Sequence, residues 1–189
     1  MKRIEEMYTE LCNRPSDINE HLPTLFRYAE GCKHITEMGT RGVISTWAFL
    51  LAKPKKLVCV DIQDCPLEPA LWEAMKNNIE LKFIKGDSGS PKLQLEETDL
   101  LFIDTWHCYD HMKKELALHP SKVKKYIIFH DTTLYADKPE TVDYESLIGP
   151  NFSQKGIWPA IEEFLNEYPE WVIAERFHNN NGLTILKRS

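Results

Sequence analysis

Short runs of consecutive apolar residues, many of them β-branched, alternate along the chain with longer stretches of helical character. The runs predict strands at 34–38 (HITEM), 56–62 (KLVCVDI), 80–86 (ELKFIKG), 99–104 (DLLFID) and 126–131 (YIIFHD). Leu100, Leu101, Phe102 and Ile103 are apolar without interruption, as are Ile127, Ile128 and Phe129. Unbroken runs belong to strands covered on both faces, whereas a half-exposed strand alternates. Helices are expected over 42–52, 68–77, 107–118 and 156–167. Repeated strand–helix–strand units favour parallel pairing, because a parallel crossover needs at least a helix's length.

The alternation changes near both ends. Trp171 to Phe177 reads as a strand, HNNNG (178–182) as a turn and Leu183 to Lys187 as a second strand. Asn181 and Gly182 tolerate left-handed backbone, so a closing antiparallel hairpin follows. Residues 1–31 form an expected N-terminal helical cap, with a helix starting near Ser16 or Asp17. Asp17 and Glu20 have capping-box spacing, Ser16 and Asn19 a less complete version of it, and Pro23 belongs near a first turn or between two short helices. Residues 132–154 carry Pro139, Gly149 and Pro150 with little periodicity; a loop of that length is expected to serve as an active-site lid. The fold class is therefore α/β, a mostly parallel sheet with a terminal hairpin, in one domain spanning 1–189.

Composition narrows the function. At 189 residues the chain can bury a core without disulfides or metals. Lys and Arg number 23 against 29 Asp and Glu, a formal charge of −6, which offers no general attraction to nucleic acid or an anionic membrane. Lys122, Lys124 and Lys125 form a short basic run without interleaved aromatics, a weak nucleic-acid signal. The five cysteines form no close CxxC pair, and the acidic N-terminus lacks the apolar segment of a signal peptide. A cytoplasmic setting is expected.

Candidate chemistry gathers at the carboxyl ends of the predicted strands, where parallel sheets bind ligands. Glu37-Met38-Gly39-Thr40-Arg41-Gly42 follows the first strand, and Gly39 and Gly42 permit close approach of a ligand. Asp61, followed by Ile62, ends the second strand, where a carboxylate can accept from two ribose hydroxyls. Asp87 and Ser88, in GDSGS, follow the third. Taken alone, each has a structural explanation: a glycine turn, a helix-capping Asp, a capped terminus. Together, EMGTRG, CVDI, GDSGS and LLFIDTWHCYDHMKKEL make nearly the whole chain resemble the class I S-adenosylmethionine-dependent methyltransferases. That resemblance implies a Rossmann-like seven-stranded sheet of order 3-2-1-4-5-7-6. It also implies S-adenosylmethionine as cofactor, with Glu37, Gly39, Thr40 and Gly42 at the methionine side, Asp61 and Ile62 at the ribose, Asp87 and Ser88 at the adenine, and Asp104 beside them. The chain lacks the GxGxxG triple glycine expected for a nicotinamide dinucleotide.

Asp104 ends the fourth strand and His130-Asp131 the fifth. Two carboxylates brought together there would repel unless compensated, and a hard cation such as Mg2+ provides that compensation; two loop-capping acids are the plainer alternative. The chain is further similar to metal-dependent small-molecule O-methyltransferases, which implies Asp104 and Asp131 as metal ligands, with Thr132 where a third side-chain oxygen is common. His107, with an ordinary pKa near neutrality, suits a general base or a helix cap. His130, adjacent to Asp131, is expected on the opposite sheet face if the strand persists through both. Trp106 and Tyr109 flank His107 as pocket candidates, whereas Trp47, Trp72 and Trp158 suit packing. The expected activity is Mg2+-assisted methyl transfer to a hydroxyl of a small molecule, with no nucleic-acid or membrane partner and a homodimer as a candidate assembly. Open alternatives are a non-catalytic or partner-regulating S-adenosylmethionine binder and a metal-independent methyltransferase.

Overall fold

A computed structural model describes residues 2–140 and 153–189. The elements run α1 (Ile4–Asn13), a 3-10 turn (Asn19–His21), α2 (Leu22–Ala29), β1 (His34–Met38), α3 (Ser45–Leu51), β2 (Lys56–Asp61), α4 (Glu68–Lys76) and β3 (Glu80–Lys85). They continue with β4 (Thr98–Ile103), α5 (Tyr109–Leu118), a 3-10 turn (Pro120–Lys122), β5 (Val123–His130), α6 (Trp158–Glu167), β6 (Trp171–Phe177) and β7 (Leu183–Arg188). One sheet carries the strands in the order β3-β2-β1-β4-β5-β7-β6. β1 to β5 pair in parallel, and β7 runs antiparallel to both β5 and β6.

The doubled apolar runs do what their pattern implies. Leu100 and Phe102 of β4 join Ile35, Leu57, Cys59 and Ile128 beneath α1 to α4. Leu101 and Ile103 turn to the other layer with Val58, Val60, Ile127 and Phe129, under α5 and α6. Period-two alternation divides each central strand between two covered faces. Pro23, Pro69 and Pro159 each sit in a helix's first turn, where a missing N–H costs no hydrogen bond.

Three local expectations shift. α1 occupies Ile4–Asn13, ahead of the helix expected near Ser16 or Asp17; a 3-10 turn leads instead into α2. The Ser16–Asn19 pair closes that approach, the backbone N–H of Ser16 donating to Asn19 Oδ1 at 3.0 Å, while Asp17 leaves to pair with Arg41. α3 begins at Ser45 rather than 42, because Arg41 and Val43 hold left-handed backbone with φ of 37° and 63°. Of the expected lid at 132–154, residues 141–152 lie outside the described residues.

The final hairpin reaches back across the sheet. Asn180, Asn181 and Gly182 are all left-handed, and a Cβ on Gly182 would lie 2.5 Å from the Thr133 nitrogen. The Asn181 carbonyl accepts from the N–H groups of Thr133 and Leu134, and Asn180 Nδ2 donates to the Ser16 carbonyl at 2.8 Å. One turn therefore joins the N-terminal segment to the chain leaving β5. Among the described residues no helix is long and apolar enough to cross a membrane.

Candidate active site

The turn after β1 is built around Gly39. Its φ is +88°, and a Cβ there would lie 1.7 Å from the Asp104 carbonyl oxygen, so only glycine lets β1 and β4 end this close. Asp61, at the end of β2, fastens the turn. Its Oδ2 accepts the backbone N–H groups of Thr40 at 3.0 Å and Arg41 at 2.8 Å, and its Oδ1 accepts that of Gln63 at 2.9 Å. Gly42 meets only the Ile44 side chain, at 3.8 Å, and shows no left-handed φ. The unusual backbone passes instead to Val43, a β-branched residue for which it is a strained state.

Glu37 lies beneath this turn, fully buried, and accepts from Ser45 Oγ, from Thr46 Oγ1 at 2.7 Å and from Cys59 Sγ at 3.2 Å. Burial pushes its carboxyl up to about 7, against the pull of those three donors. It braces the turn from below; the cleft itself is lined by other residues.

That cleft, of about 250 Å³, opens beyond the carboxyl ends of β1 to β4. Gly39, Asp61, Ile62, Asp87, Ser88, Asp104 and His107 line it, together with Trp106, His111 and Glu140. Asp87 Oδ1 accepts the Gly89 N–H at 2.8 Å, a local turn contact, and Ser88 Oγ meets His111 Nε2 at 3.0 Å. Behind His111 stands Glu115, fully buried, with Oε1 3.2 Å from the same nitrogen and accepting Thr105 Oγ1 at 2.8 Å. Burial opposes both charges, yet the pair keeps His111 above its ordinary pKa and Glu115 below. This ion pair escaped the sequence reading; the i, i+4 spacing of a His and a Glu was its visible trace.

At the other end of the cleft, charged groups converge. His107 Nε2 stands 3.2 Å from Asp104 Oδ1 and 3.0 Å from Asp131 Oδ2, while its Nδ1 faces Glu140 Oε2 at 2.9 Å. The Glu140 N–H donates to the His107 carbonyl, and Tyr135 stacks on the imidazole at 4.9 Å with 14° between planes. His130 Nδ1 lies 3.3 Å from Asp104 Oδ1 and 3.2 Å from Asp131 Oδ2. Its Nε2 points at the Asn180 carbonyl, 3.3 Å away. Despite burial, the carboxylates hold His107 well above its usual value and His130 at about 10. In return the two imidazoles hold Asp104 far below the carboxylate range and Asp131 at about 2, again against burial. Asp131 Oδ1 is buried and without a hydrogen-bond partner.

Several expectations need adjusting. His130 faces the same cluster as Asp131 instead of the opposite side: β5 ends at His130, and Asp131 turns away with φ of 59°. The alternation rule stops where the strand does. Thr132 Oγ1 accepts from Thr184 Oγ1 of β7 at 2.9 Å. His107 stands beside both carboxylates, with an acid facing each of its ring nitrogens. Tyr109 points to Glu163, leaving Trp106 as the aromatic in the cleft, and Trp72 is exposed on α4. Glu140 went unrecognised, since it lies in a stretch without periodicity.

Asp104, His107 and Asp131 each offer a ligand atom, all within 4.8 Å of one another, so these residues could hold a metal ion. The two carboxylates and the orphaned Asp131 oxygen fit a divalent cation.

Comparison with known proteins places the chain in a family. A family model described as Rhamnosyl O-methyltransferase/CmcI matches residues 34–189. No curated protein sequence matches. Among solved structures, a caffeoyl-CoA O-methyltransferase-like protein from Staphylococcus aureus superposes with a TM-score of 0.60 at 18% identity, over 100% of this chain and 93% of that one. An O-methyltransferase from Bacillus cereus in complex with SAH gives 0.57 at 16% identity, over 98% and 90%. A ribosomal protein L11 methylase from Lactobacillus delbrueckii subsp. bulgaricus gives 0.60 at 16%, over 93% and 80%. Such identities speak for the fold alone, and a shared fold leaves the acceptor open. The match over residues 34–189 goes further: this chain belongs to the Rhamnosyl O-methyltransferase/CmcI family, within the class I S-adenosylmethionine-dependent methyltransferases.

Proposed function

We propose that this chain transfers a methyl group from S-adenosylmethionine to a hydroxyl of a small molecule, aided by a divalent cation at Asp104 and Asp131. The observation that carries the reading is the continuity of one cleft from the Asp61 and Ser88 loops to Asp104 and His107. Loops suited to a nucleoside and a charged cluster thus border one cavity. A solved O-methyltransferase of this fold holds SAH, which supports the same choice of cofactor.

Bound S-adenosylmethionine supplies an electrophilic methyl group on sulfur. A bound divalent cation supplies positive charge where an acceptor oxygen loses its proton. The protein's part is positioning. Gly39 keeps the cleft open where a side chain would collide with Asp104, and Asp61 fixes the turn that borders it. Ser88 and Asp87 present short polar groups at the opposite end. Asp104 and Asp131 orient the acceptor side, each held by two imidazoles. Fixing both reactants in one geometry is the large contribution available to methyl transfer, since no protein group needs to be covalently modified.

The test begins with calorimetric titration of S-adenosylhomocysteine, then incubation with S-adenosylmethionine and a panel of catechols, sugars and other hydroxyl compounds. Mass spectrometry should find an O-methylated product whose formation falls on chelation. Absence of S-adenosylhomocysteine binding refutes the cofactor. Binding without transfer across the panel refutes hydroxyl methylation, and full turnover in excess chelator refutes the cation.

A further inference from the structure

We infer that His107 is a metal ligand, and that the cation site of this chain selects a first-row transition dication over Mg2+. The inference rests on the proposed cation at Asp104 and Asp131 and specifies its chemistry. Mg2+ was expected from a donor set made only of oxygens, with Thr132 as the third. The structure brings His107 Nε2 beside the two carboxylates, and an N,O,O set has a different preference. Carboxylates suit Mg2+ and Mn2+ alike, whereas imidazole favours transition metals.

The geometry supports ligation over the two other roles open to His107. A base must aim its nitrogen at the acceptor, whereas Nε2 is directed at the two carboxylate oxygens proposed to hold the cation, at 3.2 and 3.0 Å. Those are separations of neighbouring ligands on one ion: bonds of about 2.1 Å put adjacent donors about 3.0 Å apart in an octahedron and about 3.4 Å apart in a tetrahedron. A helix cap would use the imidazole on backbone N–H groups at the start of α5; here both nitrogens meet carboxylates. Glu140 completes the pattern. Its Oε2 accepts from Nδ1–H at 2.9 Å, which turns Nε2 toward Asp104 and Asp131, and a carboxylate behind the distal nitrogen is the usual support of a metal-bound histidine. Tyr135 stacks on the ring and fixes its plane. A further sign is independent of His107: Asp131 Oδ1, in a side chain 7% exposed, is buried with nothing to bind. An ion at the cluster would give that carboxylate a reason to be there. His130, which touches both carboxylates and is held by the Asn180 carbonyl, is assigned the positioning role, keeping Asp104 and Asp131 together.

The experiment uses the full chain, freed of metal, and the ions alone as probes. Calorimetry should show Mn2+ binding about tenfold or more tighter than Mg2+. Pulsed electron paramagnetic resonance of the Mn2+-loaded protein should show nitrogen modulation from one imidazole. His107→Gln should abolish the modulation, and His130→Gln should retain it. Glu140→Gln should weaken Mn2+ by about 10–100-fold while leaving the modulation in place. Circular dichroism of each variant establishes that it folds, and if His107→Gln does not, modulation retained in His130→Gln assigns the nitrogen to His107 and modulation lost there overturns the inference. Bound Mn2+ without nitrogen modulation overturns the inference, as does modulation that survives in His107→Gln. Mg2+ binding as tight as Mn2+ overturns the selectivity. No binding of any dication overturns the inference and removes the cation from the proposed function as well. S-adenosylhomocysteine titration of the same metal-free protein reads the cofactor assignment independently, so the two failures are distinguishable.

Discussion

Replacing Glu37 by Gln should make the protein less sensitive to rising pH. The carboxyl is fully buried, and its pKa stands at about 7 in the fold against an ordinary value of 4.5. A raised acid pKa means that the native state binds the proton more tightly than the unfolded chain. Stability from this group is therefore greatest below the unfolded value, falls as pH rises from 4.5 towards 7, and levels off above. Integrating that difference gives a loss of about 2–3 kcal/mol between pH 5 and pH 8. Gln has nearly the same shape and can still accept from Ser45 or Thr46, so the neutral state is closely reproduced. Urea unfolding of wild type and Glu37→Gln across that range isolates the effect, because the histidine clusters are common to both and cancel. The variant should gain on wild type by about 2–3 kcal/mol between the two ends. A stability difference that stays constant with pH would refute the reasoning, and would mean that the three donors outweigh burial.

Two other perturbations separate residues that look alike in sequence. Gly39→Ala should lose several kcal/mol, since its Cβ would enter the Asp104 carbonyl at a backbone angle hostile to alanine, while Gly42→Ala should stay within about 0.5 kcal/mol of wild type; equal denaturation midpoints would refute the distinction. Asp61→Ala strips three backbone N–H groups of their acceptor, so it should lower both thermal stability and S-adenosylhomocysteine affinity, each by about 1–3 kcal/mol; unchanged binding in calorimetry would remove Asp61 from the site.

Much of the sheet was legible because its signals are local. Uninterrupted apolar runs marked the central strands, and Asn181-Gly182 marked the hairpin, since backbone tolerance is written into those residue types. Strand order came from the family resemblance, and the observed β3-β2-β1-β4-β5-β7-β6 matches it. Asp104 and Asp131 were legible as strand-end acids and do converge on His107. The histidines were harder. The side to which His130 points depends on where β5 stops, and the left-handed turn at Asp131 is not encoded by an aspartate alone. Gly42 drew attention that belonged to Val43, because strain in a β-branched residue leaves no compositional mark. Glu140 owes its place to contacts across the fold, with His107 thirty-three positions earlier, and no periodicity announces such a partner.

The turn at residues 179–182 bears on how the molecule is made. His130 takes its orientation from the Asn180 carbonyl fifty positions later, and His21 meets the Asn179 and Asn180 carbonyls across nearly the whole chain. During synthesis the ribosome releases Asp104, His107 and Asp131 well before the hairpin that aligns His130 behind them. These are contacts of long sequence separation, closed only when β7 inserts between β5 and β6. A nascent chain therefore carries the acidic pair without its finished support, and competence for ligand arrives with the last strands, as a late event of folding and not an early one.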